Sequence, residues 1–485
     1  MQTLQDKLFI AGKWTAPSTP NSISVISPHT GAPIASVAAA GPADVDSAVN
    51  AARAAFDNGP WPRLTPQERI EAIQRVAGLY KDRRAEMAEQ ITAEIGAPIT
   101  FSKRAQVQLP LMLMAAFNNV ASTYPWHESR PGFYGGDISI TRHPVGVVAA
   151  VVPWNMPQFL TVGKIIPALL AGCTVIVKPA PESPLDARLL AEIIEAADLP
   201  AGVVSFLPGD SEVGARLVGH PGVDKVSFTG STDAGRHVAQ ACASHLTPAS
   251  LELGGKSAAL ILDDADPTTT AKAIVQASLA NSGQVCNALT RILVPAEREA
   301  EYVEAFVTEM DSLVVGDPAD AATQIGPLVS ARQQARVRHY IDEGTREGAR
   351  LVTGGPDMPA NLTHGWYVRP TLFSQAHNQM RIAREEIFGP VLTVIGYRDE
   401  DEGVDIANDS DYGLAGAVFT TDIDHARSVA SRVRSGSFGI NQGYIMDPLA
   451  PFGGVKASGY GRELGPEGLA GYLYSQSTSV ARPSQ

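Results

Sequence analysis

Val145-Gly146-Val147-Val148-Ala149-Ala150-Val151-Val152 is a β-rich apolar run closed by Pro153-Trp154-Asn155, and it is the first of a series. Thr174–Lys178, Val203–Leu207 and Lys225–Thr229 follow it, separated by helical stretches such as Leu185–Ala197 and Ala234–Ala243. Strands alternating with helices at this spacing predict βαβ units and therefore a parallel sheet. Ligands of such sheets sit in the loops beyond the carboxyl ends of the strands, where Trp154, Lys178, Pro208 and Gly230 fall. After Gly255 a second α/β region begins with Ala258–Leu262 and continues through Arg291–Val294 and Val391–Gly396.

Upstream, Val45, Ala48, Val49, Ala52 and Phe56 recur at helical spacing. Thr65-Pro66-Gln67-Glu68 joins a capping-box pattern to a proline at the first helical position. Two amphipathic helices are therefore expected to open the fold. Ile138–Arg142 and Gly471–Val480 are short β-like pieces, which by themselves read as a hairpin and a tail.

The chain has 485 residues, 44% of them hydrophobic, enough for two or three buried cores. A formal net charge of −13 argues against nucleic-acid binding and against polybasic attachment to a membrane, leaving small-molecule chemistry. The N-terminal residues lack a signal-peptide pattern, and the apolar run from Ile165 to Val177 is broken by Pro167 and Gly172, so a soluble cytoplasmic protein is expected. Three cysteines, Cys173, Cys242 and Cys286, with no CxxC or metal-type histidine spacing, suggest neither disulfides nor a metal site.

Two segments carry candidate chemistry. Asn281-Ser282-Gly283-Gln284-Val285-Cys286 sets a thiol among small and amide residues, which marks Cys286 as a candidate nucleophile. A free thiol has a pKa of about 8.5, so its site must supply a base or positive potential to generate thiolate. Leu251-Glu252-Leu253-Gly254-Gly255-Lys256 offers a carboxylate between apolar residues, where burial would raise its pKa towards that of a general base.

Together with Pro153-Trp154-Asn155, Phe228-Thr229-Gly230-Ser231, Glu386-Ile387-Phe388-Gly389-Pro390 and Pro451-Phe452-Gly453-Gly454, these segments resemble the NAD(P)-dependent aldehyde dehydrogenase superfamily from about Phe9 to about Tyr472. The resemblance implies a Rossmann-like cofactor domain (residues 1–124 and 145–253), an α/β catalytic domain (254–455) and a small β oligomerisation element (125–144 and 466–485). It implies a homodimer or homotetramer. Cys286 would attack an aldehyde, Asn155 and the Cys286 N–H would hold the oxyanion, and Glu252 would activate the water that hydrolyses the thioester. Relatives that form acyl-CoA typically lack this carboxylate, so a free acid is the expected product. Glu463 corresponds to a glutamate that some members use in proton relay; an ion pair in the neighbourhood of Arg462 is its bland alternative.

For the cofactor, no GxGxxG turn follows a strand, and Gly230-Ser231-Thr232-Asp233-Ala234-Gly235 has P-loop glycine spacing but continues into Arg236-His237. The resemblance instead assigns Trp154, Lys178, Pro181, Gly230, Ser231, Leu253, Glu386 and Phe388 to the dinucleotide, with the first glycine and serine at a helix N-terminus facing pyrophosphate. NAD-preferring relatives commonly carry glutamate where this chain has Pro181, with Glu182 one step later. NAD is expected, and NADP is left open. The substrate tunnel would be lined by Met156, Phe159, Leu160, Gly163, Val285, Asn287, Tyr444 and Phe452. Gly163 stands where many relatives are bulky, which points to a roomy tunnel for a large apolar aldehyde, and no lysine or arginine among these positions favours a carboxylate-bearing semialdehyde. The competing readings are a semialdehyde dehydrogenase, a cysteine thioesterase or amidase, a phosphorylating dehydrogenase and a non-catalytic NAD(P)-binding protein.

Overall fold

The computed structural model describes residues 3–480; residues 1–2 and 481–485, the extreme ends of the expected first domain and of the oligomerisation element, lie outside it. An eight-stranded sheet runs in the order Gly459–Tyr460, Ala249–Glu252, Lys225–Thr229, Val147–Val151, Thr174–Lys178, Val204–Phe206, Leu8–Ile10 and Lys13–Thr15. Its five middle strands are parallel, and every residue of Val147–Val151, Thr174–Lys178 and Lys225–Thr229 is buried. Helices on both faces leave these strands no solvent side, which is why they read as continuous apolar runs. Chain order reverses beside Val147–Val151: the next strand in sequence lies on one side, Lys225–Thr229 on the other. That reversal opens a crevice at the carboxyl end.

A second, seven-stranded sheet runs Arg350–Thr353, Thr371–Ser374, Val391–Tyr397, Arg291–Pro295, Ala258–Ile261, Ala415–Phe419 and Ser437–Ile440, parallel except at its first strand. The strand segments expected here differ by a residue or so at their ends. Asp137–Pro144 pairs antiparallel with both His127–Pro131 and Leu473–Ser479, joining two β-like pieces separated by most of the chain.

The expectation that two helices open the fold is corrected. Thr3–Gln5, Leu8–Ile10, Lys13–Thr15, Ser22–Ile26 and Pro33–Ala38 precede the helices Pro42–Asn58 and Pro66–Asp82. These strands are only three to six residues long and sit at sheet edges or in a separate three-stranded sheet, so they lack the apolar runs of central strands. Phe9 pairs with Phe206 to extend the large sheet, and the left-handed turn at Ala11-Gly12 makes the hairpin.

Two further helices pack on the large sheet, Pro157–Ala171, which comes after the first parallel strand, and Pro184–Ala196, which comes after the second, and Arg84–Ile95 packs against the latter. Pro157–Ala171 is buried at every residue. No described helix is long and apolar enough to cross a membrane.

The capping box at Thr65 forms as read: its hydroxyl accepts from Glu68 N–H at 3.3 Å and the Glu68 carboxylate accepts from Thr65 N–H at 2.7 Å. Thr65→Ala should cost about 1 kcal/mol and lower the thermal midpoint by a few degrees without altering the circular dichroism spectrum.

Candidate active site

The cysteine turn is locally strained and held by its own side chains. Asn281, Ser282 and Gly283 lie successively in the left-handed region, with φ of 51°, 59° and 75°. Two non-glycine residues there cost about 1–3 kcal/mol each unless the surroundings enforce the conformation. Asn281 Nδ2 donates to Asn155 O at 2.9 Å, Ser282 Oγ to Gly326 O at 2.9 Å, and Gln284 Nε2 to Asn281 O at 3.1 Å, while Gln284 Oε1 accepts from Val329 N–H at 3.0 Å. Gly283 is required because a Cβ there would strike the carbonyl of Gly389. The result presents Cys286 at the end of a fixed turn.

Asn155 approaches from the other sheet, just past the carboxyl end of Val147–Val151. Its Nδ2 donates to Gln284 O at 2.9 Å, two residues before Cys286, and its own carbonyl accepts from Gln106 Nε2 at 2.8 Å as well as from Asn281. The side-chain amide is thus aimed at the cysteine turn. Gln106, the last residue of a five-residue π-helix, had no sequence signal beyond its type.

Glu252 ends the strand Ala249–Glu252 and is 3% exposed, and neither of its carboxylate oxygens has a hydrogen-bond partner. Burial, reinforced by the nearby Glu463 carboxylate, holds its pKa well above the usual carboxylate range. A Cβ on Gly453 would lie 2.7 Å from Glu252 Oε1, so the Pro451-Phe452-Gly453-Gly454 glycine makes room for this carboxylate. Glu386 Oε1 accepts from Gly255 N–H at 3.1 Å; burial pushes its pKa to about 7, and Gly254 must lack a side chain to admit it. Cys286 keeps some accessible surface, but burial round its thiol, with the Glu386 and Glu252 carboxylates adding to it, pushes the pKa up to about 12. As it stands the site stores a protonated thiol.

Glu463 is 6% exposed, and its partner is Lys164 rather than Arg462. The bland alternative from sequence is corrected: the Arg462 guanidinium donates to Gly454 O at 2.9 Å and Gly461 O at 2.6 Å, because the chain turns there and sends Glu463 inward alone. Lys164 Nζ, fully buried, contacts Glu463 Oε1 and donates to Ser227 Oγ at 3.1 Å. Sequence reasoning passed over Lys164, although a lone lysine within an otherwise apolar helix was the available signal.

On the crevice side, Lys178 ends its strand almost fully buried, and burial lowers its pKa to about 8. Ser231 caps the helix Thr232–Ala243, its hydroxyl accepting from Ala234 N–H at 3.3 Å, and Gly230 precedes it where a Cβ would meet the Phe228 ring at 2.6 Å. Leu253 is buried, its N–H donating to Ser458 O at 3.0 Å. Trp154 and Phe388 meet edge to face at 5.5 Å. Pro181 lies in the turn after Lys178, and Glu182 beside it reaches Arg332 at 3.5 Å.

The apolar candidates also converge. Met156, Phe159, Leu160 and Phe452 belong to one buried cluster against which Trp154, Cys286 and Tyr444 pack. Tyr444 stacks on Phe452 at 6.3 Å, and Asn287 Nδ2 donates to Tyr444 O at 3.3 Å; Val285 and Asn287 flank the cysteine. A Cβ on Gly163 would meet only Leu113 and Leu464, at 3.8 and 3.9 Å.

Known proteins share this architecture. An aldehyde dehydrogenase from Mycobacterium tuberculosis complexed with NAD+ superposes with a TM-score of 0.97 at 46% identity, over 100% of both chains. A mutant of aldehyde dehydrogenase C from Pseudomonas syringae, complexed with NAD+ and octanal, gives 0.96 at 42% identity over 99% of this chain and 98% of the other. Geranial dehydrogenase of Castellaniella defragrans is 45% identical over 465 residues, 96% of each chain. With residues 14–478 matching the aldehyde dehydrogenase family as well, the chain belongs to that family of oxidoreductases.

Proposed function

We propose that this protein oxidises an apolar, fairly bulky aldehyde to its carboxylic acid, using NAD(P)+ and water, through a covalent intermediate on Cys286. The observation that carries the reading is the meeting of a thiol turn, the Asn155 amide, the buried carboxylate of Glu252 and the half-buried one of Glu386, from separate elements.

The residues present fit a dinucleotide. Lys178 and the turn after it would hold the adenosine ribose, the N–H groups at Gly230-Ser231 the pyrophosphate, and Glu386, with Trp154, Leu253 and Phe388, the nicotinamide end. Pro181 in place of a carboxylate keeps NADP+ beside NAD+ as a cofactor, with NAD+ the first choice. Bound there, the oxidised nicotinamide supplies the hydride acceptor and a positive charge near the thiol. That charge matters because no cation is among the groups that shift the Cys286 thiol.

Cys286 Sγ, once deprotonated, attacks the aldehyde carbon and forms the S–C bond. Asn155 Nδ2 and the Cys286 N–H stabilise the resulting oxyanion, an interaction whose removal typically costs about 10²–10³ in rate. Collapse of the oxyanion breaks the C–H bond with its electron pair and leaves a thioester. Glu252 then takes a proton from water as its oxygen attacks the thioester carbon; the C–S bond breaks and Cys286 is regenerated. Glu463 accepts the interactions of Lys164 and Ser227 behind Glu252 and gives the proton a route inward. The apolar wall of Met156, Phe159, Leu160, Val285, Tyr444 and Phe452, with a glycine at position 163 where a side chain would press on Leu113 and Leu464, supports a bulky hydrocarbon substrate.

Residues 1–124 and 145–253 would form the cofactor domain and 254–455 the catalytic one. Leu473–Ser479, exposed at all but its first residue, supports pairing between copies as a homodimer or homotetramer.

Cys286→Ala should abolish cofactor reduction at 340 nm, while Glu252→Gln should keep a single-turnover burst and lose about 10²–10⁴ in steady-state rate. Equal loss of burst and turnover in Glu252→Gln would remove it as the hydrolytic base. Because the thiol pKa is raised, its alkylation by iodoacetamide in the cofactor-free protein should be slow at pH 7 and still climbing at pH 9; Glu386→Gln removes one of the opposing charges and should speed it at pH 8. Gly163→Phe should cut kcat/KM for long or branched aldehydes by about tenfold or more and spare acetaldehyde, and uniform loss across chain lengths would exclude Gly163 from the tunnel.

A further inference from the structure

Two further buried carboxyls meet where the helices Arg84–Ile95 and Pro184–Ala196 pack together. Glu94, at the end of Arg84–Ile95, is 1% exposed and accepts from Leu185 N–H and Asp186 N–H, both at 2.9 Å. It thereby caps the exposed amides that open Pro184–Ala196, where a negative charge is favoured. Asp186, also 1% exposed, sits in that first turn and accepts from Gln158 Nε2 at 2.6 Å, while its backbone carbonyl accepts from the same nitrogen at 3.1 Å. Gln158 is the second residue of Pro157–Ala171, three residues after Asn155. One cluster thus ties together two strand-to-helix turns, the one bearing Trp154 and Asn155 and the one bearing Lys178 and Pro181.

No cationic side chain among the described residues pairs with these carboxyls. Among the described residues no lysine, arginine or histidine forms an ion pair with either within 4.0 Å. Facing them are the Tyr80 hydroxyl of Pro66–Asp82, which has no partner, and Gln158. The cations on the packed elements are engaged elsewhere: Arg83 with Glu86 and Glu192, Arg188 with Glu192, and Lys164 with Glu463, while Lys103 and Arg104 are exposed to solvent. Two adjacent carboxylates in such a place cannot both stay charged.

We propose that Glu94 and Asp186 share a proton and, through Gln158, act as a positioning latch that keeps the two cofactor-side turns in register, a latch that opens when the proton is lost at alkaline pH. Burial raises both carboxyls, Asp186 to about 7 and Glu94 well above the usual range, where the Asp186 charge adds to burial. Unfolded, both groups are ionised above about pH 5, whereas folded they retain protons; the stability they confer is fully present below about pH 4 and is lost progressively from there, up to about 7 for Asp186 and beyond 7 for Glu94. The consequence for cofactor binding rests on the proposed oxidation of an aldehyde with a dinucleotide; the shared proton does not.

Asp186→Asn replaces the shared proton with a permanent N–H donor and so imitates the closed latch. Thermal midpoints of wild type and Asp186→Asn, measured from pH 6 to pH 9, should diverge, the wild type losing about 3 °C or more that the variant retains. KM for NAD+ should rise over the same range in the wild type and stay level in the variant, with kcat changing less. Gln158→Met should raise KM for NAD+ about fivefold or more and, by removing the donor that lowers the Asp186 pKa, should move the pH dependence of melting to higher pH without abolishing it. Parallel melting curves for wild type and Asp186→Asn would overturn the shared proton. So would a wild-type midpoint raised by potassium or sodium chloride but not by tetramethylammonium chloride, since a cation would then neutralise the pair. A melting difference with no change in KM in either variant would overturn the positioning role. Were no aldehyde oxidised at all, the proposed function would fall, and the melting comparison would still decide the latch.

Discussion

Asn155 joins the two halves of this protein. Its carbonyl accepts from Gln106 and from Asn281, and its side-chain amide donates to the Gln284 carbonyl, so one residue past the end of the large sheet is bonded three times, twice to the cysteine turn. Those bonds help hold Asn281 and Ser282 in a left-handed conformation that isolated peptides avoid. Without them the turn would lose the contacts that offset its strain.

The electrostatic design follows from that placement. Bringing Cys286, Glu252 and Glu386 into one apolar enclosure raises every one of their pKa values, and each carboxylate raises the thiol's further. Burial therefore favours the neutral thiol and draws both carboxyls towards their neutral forms. A positive charge delivered from outside would relieve all three groups at once. The same economy appears at Glu94 and Asp186, where burial without a cation forces a proton to stand in for one.

Much of the fold was legible in the chain because buried parallel strands have a plain signature. Val147–Val151, Thr174–Lys178 and Lys225–Thr229 are covered on both faces, so their residues are largely apolar and their boundaries fall where the apolar runs end. The five N-terminal strands left no such mark, since each is only three to six residues long, too short for a period to show, even where, as at Leu8–Ile10, every residue is buried. At the site, motif glycines found their meaning only in space: Gly254 gives way to Glu386, Gly453 to Glu252, and Gly283 to the Gly389 carbonyl. Lys164 and Gln106 escaped notice because the partners that make them matter, Glu463 and Asn155, are 299 and 49 residues away along the chain.

By itself the sequence determined the βαβ order and the apolar character of the central strands, because these depend on side-chain type and local periodicity, and it singled out Cys286 and Glu252 as candidates by their type and neighbours. Tertiary structure alone decided which charge meets which. That Glu463 turns inward to Lys164 and not towards Arg462, that both Glu252 oxygens are left without partners, and that Asp186 lies against Glu94 are all consequences of packing between distant segments. Electrostatic energy varies with distance and burial, and neither quantity is written in the order of residues.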